Sequence, residues 1–201
     1  MIDLQALSDP ELLGLARAGD KEAFVVIYRR HQGPVYRFAL QMSGSQSIAQ
    51  DVTQEVFMAL MREMLTFDAA RGPLSAYLFG IARNHVLRNL EGSRSLAPMG
   101  EDEDAFPLIA PDDPLGDLTR REGLQAMRNA ILTLPLNYRE VLVLVDLEEM
   151  SYAQAAQALG CAVGTVRSRL HRAHALLIEK LRSAGKIQPA SRSGNVSRCF
   201  A

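Results

Sequence analysis

Arg167, Ser168, Arg169, His171 and Arg172 crowd into one short stretch of chain, with Thr165 just ahead of them. In helical register Val166, Leu170, Ala173 and Leu177 form an apolar stripe, which leaves the polar groups mostly on other faces. Guanidiniums can make paired hydrogen bonds to a guanine edge. Hydroxyl and imidazole groups can reach a base edge or a phosphate, so the set suits the major groove of duplex DNA. The plainer reading is a solvated basic helix on a globular domain. Charge favours the first: Ser151 to Lys186 holds six Lys or Arg and one acid, Glu179.

The elements needed to position this set are legible around it. Ser151 and Gln154 have the spacing of a capping box and open an Ala-rich helix to about Leu159. Gly160 can take positive φ and end that helix, and a second begins around Ala162 to Gly164. Two helices joined by a short Gly-containing turn are a helix-turn-helix candidate.

Upstream, the chain reads as helix throughout. Ser8 to Glu11 predicts a first helix from about Pro10 to Ala18, with Asp20 capping the next. Phe24, Tyr28, His31, Val35, Phe38 and Met42 give that second helix a core face, and Gly33-Pro34 predicts a kink or short break within it. Ser47 and Gln50 suggest a capped third helix to about Leu65, with Ile48, Val52, Val56, Ala59 and Leu60 inward. On another strip of that helix Asp51, Gln54, Glu55 and Met58 recur at i, i+3, i+4 and i+7. This strip is either solvated surface or a docking face for a basic protein.

A fourth helix is expected from Leu74 to about Leu90, with Leu74, Tyr77, Leu78, Ile81 and Ala82 inward. Arg83, Asn84, Arg88 and Asn89, near Tyr77 and Phe79, could hold single-stranded DNA by stacking and phosphate neutralisation. Aromatics in a helix are more often core. Beyond it, Pro98, Pro107, Pro111 and Pro114 accompany seven acids between Glu101 and Asp117, a stretch without Lys or Arg. That composition reads as a linker. Helices are then expected over Thr119 to Leu134 and, capped by Asn137 after Pro135, over Tyr138 to Leu147.

The fold class is therefore all-α: two small helical domains joined by an acidic, Pro-containing linker, the second a helix-turn-helix. The expected boundaries are 1–92, linker 93–118, 119–186 and a tail 187–201. A chain of 201 residues with 48% hydrophobic content allows packed cores, and a net charge of −1 argues against indiscriminate nucleic-acid binding. Two cysteines, Cys161 and Cys199, exclude a disulfide framework and a cysteine-rich zinc site. No signal peptide or membrane-length apolar run is evident, so a soluble cytoplasmic protein is expected. No Ser/His/Asp set, P-loop, metal-ligand spacing or dinucleotide glycine pattern appears, so neither an enzyme nor a cofactor is expected.

Four segments stand in register: Asp51-Val52-Thr53-Gln54-Glu55-Val56-Phe57, AYLFGIARN at Ala76 to Asn84, LPLNYREVLVL at Leu134 to Leu144, and SYAQAAQALG followed by VGTVRSRLHRA at Val163 to Ala173. Together they resemble the bacterial extracytoplasmic-function (group IV) sigma factors across about residues 8 to 182. The resemblance implies a promoter-specificity subunit of RNA polymerase, with partners in the β′ clamp helices and β flap of the core enzyme and in promoter DNA. An anti-sigma factor is also implied. By resemblance, Asp51, Gln54, Glu55 and Met58 face the core polymerase, which favours docking over the solvated reading. Arg71, Tyr77, Arg83, Asn84 and Arg88 match the part that opens the −10 element. Thr165, Arg167, Ser168, Arg169, His171 and Arg172 match the −35 reader. The chain departs from many members at Tyr77, where they carry Trp, and at Leu74, where they carry an aromatic. A free-standing dimeric helix-turn-helix regulator is the rival reading.

Overall fold

In the computed structural model, which describes residues 3–94 and 114–183, the described chain is helical without strands. Its helices are α1 (Asp9–Arg17), α2 (Lys21–Ser43), α3 (Gln46–Glu63), α4 (Leu74–Arg94), α5 (Pro114–Leu132), α6 (Leu136–Leu142), α7 (Tyr152–Leu159) and α8 (Val163–Ser183). Each start has a local cause. Ser8 and Glu11 close a capping box on α1, and the Asp20 carboxylate accepts from the Glu22 and Ala23 amides to cap α2. Ser45, not Ser47, caps α3, accepting from the Ile48 amide; Ser47 bonds Ser45 through its own hydroxyl. Gly44 makes the α2–α3 corner at φ 74°, a left-handed conformation that glycine takes without steric cost.

α2 is the central helix and packs on α1, α3, α4 and α5. It runs unbroken through Pro34, against the expected break. A mid-helix proline costs about 3 kcal/mol, whereas burying one large aliphatic or aromatic side chain contributes about 1.5–3 kcal/mol. α2 buries Val26, Ile27, Val35, Phe38 and Met42, and that total outweighs the proline. The buried stripe is offset from the expected one: Ala23, Ile27 and Ala39 join it, while Tyr28 is exposed and meets Phe57 edge-on.

Later elements also depart from expectation in detail. α5 starts at Pro114, so part of the segment read as linker is helical; residues 95–113 and the tail 187–201, with Cys199, lie outside the described residues. Pro135 itself stands at the N-cap of α6, which leaves Asn137 inside the first turn. Proline suits this place because its fixed φ fits and its missing N–H is not called on. After Leu142 the chain widens into a π turn over Val143–Leu147. One apolar cluster then continues from Leu12 in α1 to Ala173 in α8, through Phe38, Leu60, Leu78, Leu142 and Val166.

Candidate nucleic-acid interface

α7 and α8 form the helix-turn-helix expected from the sequence. Ser151 and Gln154 bond each other's backbone amides, and Gly160 ends α7 at φ 63°. Val166, Leu170 and Ala173 are buried, which turns Arg167, Ser168, His171 and Arg172 outward. Arg167 lies over the Tyr152 ring, 5.6 Å from its centroid, and Arg172 Nη1 donates weakly to the Tyr138 hydroxyl at 3.5 Å. Ser168 donates to the Thr165 carbonyl at 3.0 Å, and Thr165 is half-buried. Arg169 differs from the rest. It turns inward to Glu140 at 3.4 Å.

The second set lines a cleft of about 680 Å³ at the start of α4. Arg71, Tyr77, Arg83 and Asn84 line it from one side, and Gln157 to Gly160 from the other. Its rim loop after α3 is held by Arg17, which donates to the Met64 carbonyl at 2.9 Å and to the Phe67 carbonyl. Asp68 caps the short turn Ala69–Arg71. Tyr77 packs its ring on Phe67, 5.0 Å between centroids, and donates to the Glu63 carboxylate. Burial, with that carboxylate beside it, pushes the Tyr77 phenol up to about 12, so it stays a neutral donor. Phe79 is not part of the cleft. It is buried edge-on against Phe38, and the expected pair of aromatics reduces to one.

Arg83 is half-buried and donates through Nε to Glu140 at 2.6 Å. Asn84 and Arg88 are exposed. Desolvation and then the Arg88 charge hold the His85 imidazole below its ordinary value. Glu63 and Asp68 line the cleft beside Arg71 and Arg83, so its charged lining is mixed.

The third set lies on α3. Asp51, Gln54 and Met58 are exposed and Glu55 is half-buried, with Gln54 reaching the Met58 sulfur at 3.9 Å. Met61, 62% exposed, and Leu65, 75% exposed, carry the strip onward as uncovered apolar surface. Sequence reading stopped the strip at Met58, although the same i+3 and i+4 steps lead to Met61 and Leu65.

Glu140 was missed altogether. It is 2% exposed, and its signal was an acid set among Leu136, Val141, Leu142 and Val143. Two further charged groups join it, Arg139 half-buried and Glu148 with its side chain 3% exposed. Arg139 donates to the carbonyls of Met42 (2.5 Å), Leu134 (3.1 Å) and Leu132. Glu148 pairs with Arg37 at 2.8 Å, and burial, partly offset by that arginine, raises its carboxyl. Among the described residues no three His, Cys, Asp or Glu are grouped to hold a metal ion, and no helix is long and apolar enough to cross a membrane.

Comparison with known proteins gives concordant matches. Residues 27–95 match the family Sigma-70 region 2, and residues 124–177 match Sigma-70, region 4. The chain is 34% identical to the ECF RNA polymerase sigma factor SigM of Mycobacterium tuberculosis over 177 residues, 87% of this chain and 85% of the relative. Among solved structures it is similar to CnrH, described in complex with the cytosolic domain of CnrY. That match has a TM-score of 0.66 and 26% identity, covering 87% of this chain and 97% of the other. It is also similar to the sigma factor RpoE of Bartonella quintana, described in complex with the anti-sigma factor NepR, with a TM-score of 0.61 and 26% identity over 75% of this chain and 91% of that one.

Proposed function

Because the chain belongs to the extracytoplasmic-function sigma factors of the sigma-70 family, we propose that it confers promoter choice on core RNA polymerase without a catalytic centre of its own. The observation that carries this reading is a helix-turn-helix whose second helix turns Arg167, His171 and Arg172 outward, on the same chain as a cleft lined by Arg71, Tyr77, Arg83 and Asn84. The α7–α8 unit reads duplex DNA at the −35 element through Arg167, Ser168, His171 and Arg172, with Thr165 and Arg169 supporting. At the −10 element, Arg71, Arg83, Asn84 and Arg88 hold the opened strand while Tyr77, its hydroxyl engaged by Glu63, offers a ring face to an unstacked base.

The α3 strip docks on the core enzyme. Asp51 and Glu55 supply charge for a basic partner, and Met58, Met61 and Leu65 supply apolar area that is otherwise left in water. Residues 1–92 and 119–186 act as separable DNA-binding units, the segment between them tethering two modest contacts into one stronger one. An anti-sigma factor controls the chain, a reading supported by structural likeness to the sigma factor RpoE, solved with the anti-sigma factor NepR. The site of action is the cytoplasm, where the polymerase is.

The test is transcription in vitro by core enzyme on a random promoter library, with and without this chain. Enrichment of a bipartite promoter in its presence is the expected outcome. A library unchanged by the chain refutes the proposal, and promoter binding by the chain alone as a dimer would move it to the free-standing regulators.

A further inference from the structure

The loop that joins α3 to α4 is held from outside both helices. Arg17, the last residue of α1, donates through Nε to the Met64 carbonyl at 2.9 Å and through Nη2 to the Phe67 carbonyl. Met64 is the C-cap of α3, where carbonyls lack helical partners and a cation is favoured. The same turn closes on the Glu63 carbonyl, which accepts from the Thr66 amide at 2.9 Å and the Phe67 amide at 3.0 Å. Phe67 thus has both backbone groups fixed, its amide by Glu63 and its carbonyl by Arg17. Its ring lies 5.0 Å from that of Tyr77, whose hydroxyl donates to the Glu63 carboxylate. Packing around the loop is incomplete. Phe67, Gly72 and Pro73 line both the cleft of about 680 Å³ and a second cavity of about 380 Å³ shared with Asp9, Leu13 and Arg30. Hydrogen bonds therefore do much of the work of holding the loop in one shape.

We propose that Arg17 is a positioning residue for capture of the −10 strand: its guanidinium fixes the loop that carries Phe67, and through Phe67 the plane of the Tyr77 ring. The inference rests on the −10 reading given above for its DNA ligand. The physical reason is preorganisation. An unstacked base gains from an aromatic face that is already in place, whereas ordering a loop at the moment of capture subtracts from the affinity. Arg17 moves that ordering into folding and needs no contact with nucleic acid to do so. The planar fork matters, because Nε and Nη2 meet two carbonyls three residues apart at once. A lysine ammonium, a point charge on a flexible stem, orients them less firmly. The −35 set lies on α8, so duplex binding there should not depend on Arg17.

The experiment uses the full chain. Because it contains no tryptophan, Tyr77→Trp places a sole fluorophore beside Phe67. Adding Arg17→Gln to that variant should raise acrylamide quenching of the tryptophan, with neither DNA nor polymerase present. In the holoenzyme, Arg17→Gln alone should lower affinity for a single-stranded −10 oligonucleotide about three- to tenfold, while binding to a −35 duplex stays at the parent level. Arg17→Lys, which keeps the charge near the carbonyls, should fall between parent and Gln. Unchanged quenching, unchanged strand affinity, or an equal loss on the −35 duplex overturns the proposal, the last by marking a general loss of folding. A parent holoenzyme that binds the −10 strand no better than a scrambled one overturns instead the reading on which the proposal rests, and quenching still reports the hold of Arg17 on the loop.

Discussion

Asp9 illustrates how one side chain serves two structural ends. It lies in the first turn of α1, where a negative charge favours the helix dipole, and it reaches across to Arg30 at 2.5 Å and His31 at 2.8 Å on α2. Burial raises its carboxyl, but the His31 and Arg30 contacts together outweigh burial and hold it below its ordinary value of 3.8. The folded state thus binds this proton less readily than the unfolded chain. Its contribution is complete above pH 3.8 and is lost as pH falls through the lower folded value. Asp9→Asn should cost about 1 kcal/mol at pH 7, discounted for partial exposure, and urea titrations should find that deficit narrowing in acid. On the DNA side, Arg172 has only a weak tie to Tyr138, so its guanidinium is available. Arg172→Ala should cost about 1–3 kcal/mol at the −35 element, with relaxed base preference, in competition binding by the holoenzyme. A loss equal on all sequences would assign it to phosphate instead.

At the scale of the element, the helix-turn-helix depends on local devices that do not involve DNA at all. Ser151→Ala removes the oxygen that receives the Gln154 amide and should cost about 1 kcal/mol in chemical denaturation. Gly160→Ala forces a Cβ onto φ 63° and should also destabilise, although open space surrounds the position. These devices were readable because a cap and a C-terminal glycine are properties of a few consecutive residues. The break expected at Pro34 was misread for the opposite reason. Local propensity disfavoured the helix there, and burial along α2 against α1, α3, α4 and α5 overrode it. Phe79 was misplaced likewise: a helical aromatic near arginines reads as a stacking platform until Phe38 is found against it.

Taken whole, the molecule holds the strip proposed for docking apart from the arginines proposed to face DNA. Asp51, Gln54, Met58 and Met61 are exposed on α3, with Leu65 just past its end, while Arg83 and Arg169 converge on Glu140. Glu55→Lys should weaken association with core polymerase several-fold in a competition pull-down and leave compactness in scattering unaltered. Equal affinity would remove α3 from the docking surface.

The all-α class, the helix-turn-helix and the charge segregation were determined by the sequence itself, because each is set by periodicity and capping over spans that one element contains. So was the position of the recognition arginines, since Val166, Leu170 and Ala173 can be buried on only one side of a helix. Which arginine points to solvent and which to a buried acid was decided by tertiary structure alone. Arg83 and Glu140 are 57 positions apart, and no local pattern records that a carboxylate from one end of the chain will be desolvated between guanidiniums from both.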